Sequence, residues 1–158
     1  MEYGIVIGAG VNILIMLLKS LRPRVNVQCV THKGSKVKYV LLRPDQGLFF
    51  PAVDYIRDKV NKVSRMYPNY PVTVIECDKW TKVDYTSASC MATLAAKEAK
   101  MGRTLVMFKQ PACWDEAFER LGGKVPVCCP NWNELNEVFQ NVSNEIKVEK
   151  NGENNNSN

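Results

Sequence analysis

The sequence, 158 residues long, holds a single histidine, His32. That scarcity removes most acid–base chemistry near neutral pH, because imidazole is the side chain whose ordinary pKa lies there. No P-loop, G-x-S-x-G elbow or HExxH segment occurs. Nucleotide cradling, an α/β-hydrolase nucleophile and a zincin centre therefore have no motif to rest on. Cysteines stand at positions 29, 77, 90, 113, 128 and 129, with no CxxC among them. With one histidine they complete no Cys/His zinc set, so no metal is expected. Cys77 and Cys90 fall in apolar segments and read as small core residues. The adjacent Cys128 and Cys129 read as reduced thiols facing the cytosol. Basic residues are not interleaved with aromatics into a stripe, so no nucleic-acid partner is expected. The carboxylates Asp115 and Glu116 sit where a helix begins and complement its dipole. The chain reads as a non-enzyme without a cofactor.

What is present begins with an apolar run. Tyr3 to Leu18 carries no charge, and as a helix its sixteen residues reach about 24 Å, against about 30 Å of bilayer hydrocarbon. Extension to Leu21, with Lys19 snorkelling, brings the length near a crossing. Lys19, Arg22 and Arg24 follow the run and form a membrane-exit pattern, which places everything downstream in the cytoplasm. A signal peptide would carry its positive charge before the run, not after it. Gly8-Ala-Gly10 looks like the start of a dinucleotide turn. The third glycine position is Ile13, however, and no acidic residue occurs between Glu2 and Asp45, so that motif is incomplete. Gly4 and Gly8 have the GxxxG spacing that allows close helix packing in lipid. Residues 1–24 are thus expected to form one transmembrane helix and its basic exit.

From residue 25 to 148, apolar periods of two and of about 3.6 alternate. Tyr39–Leu42 and Gly47–Phe50 read as strands, and Pro51 opens a helix with Val53, Ile56, Val60 and Val63 inward. Val72–Cys77 is a β-branched strand, 78–83 a turn, and Asp84 to Met101 a helix with Ala88, Met91, Ala92, Ala95 and Ala99 on one side. Gly102 ends it. Thr104–Phe108 is a strand. A helix from Pro111 points Trp114, Ala117, Phe118 and Leu121 inward. Val125–Cys128 reads as a short edge strand because of Pro126. Asn131 caps a last helix with Trp132, Leu135, Val138, Phe139, Val142 and Ile146 on its stripe. The polar residues 149–158 read as a disordered tail. The alternation implies an α/β fold with a mostly parallel sheet and helices packed on it.

One loop stands out for function. Asp84, Tyr85, Thr86 and Ser87 follow a strand and open a helix, where free backbone N–H groups meet hydroxyls. Capping by Asp84, Thr86 or Ser87 is the plain role. Docking of a partner, switched by phosphate at the helix start, is the functional one.

Leu41-Leu-Arg-Pro-Asp-Gln-Gly-Leu-Phe-Phe-Pro-Ala-Val-Asp-Tyr-Ile-Arg-Asp-Lys-Val60 resembles a family pattern: apolar strand, turn, apolar strand ending in Phe, then a helix. Val74-Ile-Glu-Cys-Asp78 followed by Val83-Asp84-Tyr85-Thr86 resembles the same family's strand and hydrophobic-Asp-x-(Ser/Thr/Val) signature. The family is the STAS domain (sulfate transporter and anti-sigma factor antagonist) at the cytoplasmic C-terminus of SulP-type anion transporters. The Glu-Cys…Val-Asp-Tyr-Thr wording, and Leu21-Arg-Pro-Arg24 after an apolar helix, are most similar to the sodium-independent sulfate anion transporter subgroup.

The resemblance implies a parent that exchanges sulfate or related anions, as a homodimer. Its STAS domain would serve regulation, assembly and trafficking and would dock a cytosolic regulatory protein. Membrane lipid and the remainder of the transporter membrane domain are the other implied partners. In the bacterial antagonists the phosphorylated serine precedes a glycine; the matching position here is Thr86, followed by Ser87. One helix cannot enclose a transport site between repeats, so the chain alone should move no anion. A stand-alone STAS-like protein-binding module is the alternative. Two sequons, Asn141-Val-Ser143 and Asn155-Asn-Ser157, stay unglycosylated if the domain is cytoplasmic.

Overall fold

Two strands with opposite running directions start the sheet. β1 (Val25–Thr31) and β2 (Lys38–Pro44) form an antiparallel hairpin in which Val25 faces Pro44 and Thr31 faces Lys38. β1 lies outside the strands expected from the sequence. Its exposed Asn26, Gln28 and Cys29 hide the alternation of a half-buried edge strand. The computed structural model describes residues 2–21, 24–45, 47, 50–122 and 125–155. The expected strand at Gly47–Phe50 falls partly outside these residues. Its last residue, Phe50, instead begins α2 (Phe50–Met66).

From β2 onward the chain repeats strand, helix, strand. β3 (Val72–Glu76) is followed by α3 (Tyr85–Lys100), β4 (Thr104–Phe108), α4 (Cys113–Leu121), β5 (Val127–Cys129) and α5 (Trp132–Asn155). The sheet order is β1-β2-β3-β4-β5, with every pair after the first parallel. β5 is the far edge, as Pro126 suggested. The backbone of 149–155 is helical, where composition argued for an irregular tail.

Strand alternation divides two cores. Val40, Leu42, Ile75, Leu105 and Met107 face α2, α3 and α4, and pack with Ile56, Val60, Met91, Trp114 and Phe118. Tyr39, Leu41, Val74, Val106 and Phe108 face α5, and pack with Leu135, Phe139 and Val142. Burying each such aliphatic or aromatic side chain contributes about 1.5–3 kcal/mol. On α3 the inward stripe is Ser87, Ala88, Met91, Leu94, Ala95 and Glu98. Ala99, expected inward, is exposed, and Leu94 takes the inner position the helical phase gives it.

Helix α1 (Glu2–Leu21) touches α2 but contributes no residue to either core. It contains Gly8 and Gly10 in continuous helix, so no strand–turn–helix for a dinucleotide forms there. Every residue from 3 to 18 is exposed, with Ile5 at 77% and Met16 at 73%. Among the described residues no helix is long and apolar enough to cross a membrane. The charge-free run Tyr3–Leu18 reaches only about 24 Å, and α1 approaches the hydrocarbon thickness of about 30 Å only by including Lys19 on its last turn. The expected spanning segment is therefore corrected to an apolar helix short of a full crossing. Of its exit residues, Lys19 is on the last turn of α1, Arg22 lies outside the described residues, and Arg24 is exposed just before β1.

Candidate functional site

Asp84 is fixed before it can do anything else. Its backbone is extended and its carboxylate accepts a 2.7 Å hydrogen bond from the Ser87 N–H, the N-cap of α3. The cap turns the next side chain outward and the third inward. Tyr85 is 74% exposed, Thr86 is exposed, and Ser87 is fully buried with no partner for its hydroxyl among the described residues. The four expected site residues are thus adjacent but not equivalent. Tyr85 and Thr86 form a surface, Asp84 positions it, and Ser87 lies beneath it.

Tyr85 makes a ridge between two clefts. On one side, a cleft of about 240 Å³ runs to α4 and is lined by Val83, Cys113, Glu116, Ala117 and Arg120. On the other, a cleft of about 300 Å³ runs to α2 and is lined by Arg57, Thr86, Ser89, Cys90 and Thr93. Arg57 is held by Asp54 at 2.9 Å, so it offers a partly neutralised charge.

The loop under this ridge is anchored by a residue of the polar turn 78–83. Trp80 is 1% exposed, and its carbonyl accepts a 3.0 Å hydrogen bond from Trp114 Nε1. The two indoles lie 5.6 Å apart, with Phe118 5.7 Å beyond Trp114. A tryptophan between Lys79 and Thr81 in an otherwise polar stretch was the available signal. Glu98 was also missed. It is fully buried near the far end of α3, accepts from Ser64 Oγ at 2.8 Å, and meets Arg103 Nε at 3.0 Å.

At the carboxyl ends of the parallel strands, Glu76 joins Arg43 at 2.7 Å and Lys109 at 2.9 Å. Burial pushes the Glu76 carboxyl up, but the hydrogen bonds and charges of Lys109 and Arg43 outweigh it and hold it below the usual range. At the far edge, burial, with Asp115 close by, pushes the Cys128 thiol up to about 12. Burial, with Glu134 and Glu137 nearby, pushes Cys129 up to about 11. Both thiols stay protonated at neutral pH and are poor nucleophiles, which fits the reduced reading. The described residues hold no group of three or more His, Cys, Asp or Glu side chains able to hold a metal.

This arrangement, a capped helix over a five-stranded sheet with α5 alone on the opposite face, can be set beside known proteins. No protein-family model matches the chain. The sodium-independent sulfate anion transporter of Bos taurus is 30% identical over 108 residues, which cover 67% of this chain and 16% of the bovine protein. The fold is shared with the murine Solute Carrier 26 family member A9 anion transporter in its inward-facing state. That match has a TM-score of 0.68 at 14% identity over 87% of this chain and 25% of that one. A Ser-to-Glu variant of RsbS from Moorella thermoacetica matches with a TM-score of 0.57 at 10% identity, over 75% of this chain and 98% of that one. This chain carries a STAS domain of the SulP anion-transporter family. The STAS domain matches a small bacterial protein over almost that protein's whole length, and a transporter over one quarter of it. The chain spans about a sixth of the bovine relative.

Proposed function

We propose that this STAS domain serves a sulfate or related anion transporter as its cytoplasmic regulatory and assembly module, and that α1 is the end of the membrane part that precedes it. The observation that carries this reading is α1 itself. A helix with sixteen consecutive exposed, uncharged residues is not stable facing water and requires lipid or other membrane helices around it. Lys19 and Arg24 then lie at the headgroup level. The domain has no catalytic part in transport and needs no cofactor. It works as a homodimer beside the remainder of the membrane domain.

Tyr85 and Thr86 form the docking ridge for a cytosolic regulatory protein. β1 leaves α1 at Val25, which pairs with Pro44 at the carboxyl end of β2, and the Asp45 N–H donates to the Arg24 carbonyl at 2.9 Å. The strand ends that lead into the ridge share this membrane-proximal end. A partner seated on Tyr85 would therefore lie between the domain and the membrane part. Phosphate on Thr86, at the first turn of α3, would be favoured by the helix dipole without disturbing the core.

Carbonate extraction of the full chain, against a version starting at Val25, tests the reading. The full chain is expected in the membrane pellet, and the shorter one in the supernatant with a cooperative melt. A full chain that is extracted, together with a shorter one that does not fold, would place α1 in the globular core and end the transporter assignment.

A further inference from the structure

The end of the sheet away from α1 carries a second cleft. The turn between β1 and β2, the start of β2 and the face of α5 enclose a cleft of about 430 Å³, within the usual size of small-ligand sites. Lys36, Lys38 and Lys147 line it, with the hydroxyls of Ser35 and Ser143 and the amide of Asn69. No carboxylate lines it, and none of the three lysines takes part in an ion pair among the described residues. The arginines Arg43, Arg57 and Arg103 and the lysine Lys109 are all paired elsewhere.

The walls are fixed without a ligand. The Ser35 N–H donates to His32 Nδ1 at 3.1 Å, so that nitrogen is the acceptor and the ring proton sits on Nε2. Nε2 then donates to Asn136 Oδ1 of α5 at 3.1 Å, and the ring stacks 4.8 Å from Phe139. Ser143 Oγ donates to the Ser35 carbonyl at 3.3 Å, a second tie between turn and helix. Lys36 closes the turn with its N–H on the His32 carbonyl at 2.9 Å and a φ of 57°. That left-handed position favours glycine or asparagine, so a lysine there carries a backbone cost. The cost is offset if the ammonium is needed at that point.

We propose that this cleft binds a small soluble polyphosphate anion, with the lysine ammoniums and the Asn69 side-chain amide on its phosphate oxygens, while the Ser35 and Ser143 hydroxyls hold the turn on α5. A lipid headgroup is the other source of such phosphates. The seven residues of β1, however, carry the turn about 23 Å from the end of α1, away from the membrane surface. The cleft also lacks the large exposed apolar anchor that a peptide partner would use.

The test is calorimetric titration of the full chain in detergent with sodium tripolyphosphate at fixed ionic strength. Saturable binding of one anion per chain is expected. Lys36→Gly relieves the backbone, so it should raise the Tm while weakening binding by about three- to tenfold. Lys36→Ala, Lys38→Ala and Lys147→Ala together should weaken binding by at least about thirtyfold, and Lys62→Ala on α2 should leave it unchanged. Absence of saturable binding overturns the site, as does an equal loss in Lys62→Ala. Binding to anionic-lipid vesicles that depends on the same three lysines overturns the soluble-ligand assignment. So does binding of a polyglutamate peptide in place of tripolyphosphate.

Discussion

Helices α1 and α3 are both mostly uncharged, yet the chain treats them in opposite ways. α3 turns Ala88, Met91, Leu94 and Ala95 onto the sheet and leaves its lysines outside. α1 is the more apolar of the two and buries none of residues 3–18 in the domain. The difference lies in pattern, not in total hydrophobicity. A stripe on one face commits a helix to a neighbour within the same domain, whereas an apolar surface all the way round commits it to a solvent other than water. The STAS core is complete without α1, because the sheet face that α1 would have to cover is already occupied by α2, α3 and α4 on one side and α5 on the other.

Substitutions on the two helices and the core they leave or join would break or sharpen this comparison. Trp114→Ala removes a fully buried indole from under α3 and should destabilise the domain by about 3–5 kcal/mol in urea. Leu14→Ala on α1 should shift the same midpoint by less than about 0.5 kcal/mol. Equal losses would mean that α1 belongs to the domain core after all.

Glu98→Ala comes next. It strands the Arg103 guanidinium, only 10% exposed, and removes the acceptor of Ser64, so a loss of about 3 kcal/mol is expected. Glu98→Gln keeps the Ser64 hydrogen bond and should lose less. If both variants melt like the parent, the far end of α3 is not held by this pair.

Glu76 gives a pH-dependent effect of intermediate size. Its carboxyl is held below the usual range in the folded state, so the ionised form is the one that folding favours. The stability it contributes is present above the unfolded carboxylate pKa and is lost as pH falls through the lowered folded value. The parent should therefore exceed Glu76→Gln in urea midpoint at neutral pH, and the gap should close in acid. A gap constant with pH would mean that the ion contacts contribute nothing to it.

The smallest effect is expected at the ridge. Asp84→Ala removes one capping hydrogen bond at the start of α3 and should cost about 1 kcal/mol, with Asp84→Asn recovering most of it. A Tyr85→Ala change, at a residue 74% exposed, should leave thermal stability unaltered. Any large loss at Tyr85 would show that the ridge is structural.

Much of the fold was legible in the residues. The start of α3 at Asp84 and its end near Met101 followed from a cap residue, a helical stripe and Gly102, each a local signal. The strands β3 and β4 followed from β-branched and apolar runs too short for a helix. β1 was not legible, because an edge strand with one neighbour needs few buried side chains. Trp80 and Glu98 were not legible either. A tryptophan in a polar turn and a glutamate on a charged helix end read as surface until Trp114 and Arg103, 34 and 5 positions further on, fold against them.

The candidate site divides along the same line. Sequence alone placed Asp84, Tyr85, Thr86 and Ser87 at a helix start, since capping is a rule of neighbours in the chain. Only the tertiary structure decided that Ser87 is sealed under the helix and Tyr85 stands between two clefts. It also decided that Lys36, Lys38 and Lys147 meet at one cleft, more than a hundred positions apart in sequence at their extremes. Local order is written in consecutive residues because backbone hydrogen bonds and caps act over three or four positions. Burial and charge clustering depend on which distant segment covers which face, and that is settled when the sheet closes the distance between them.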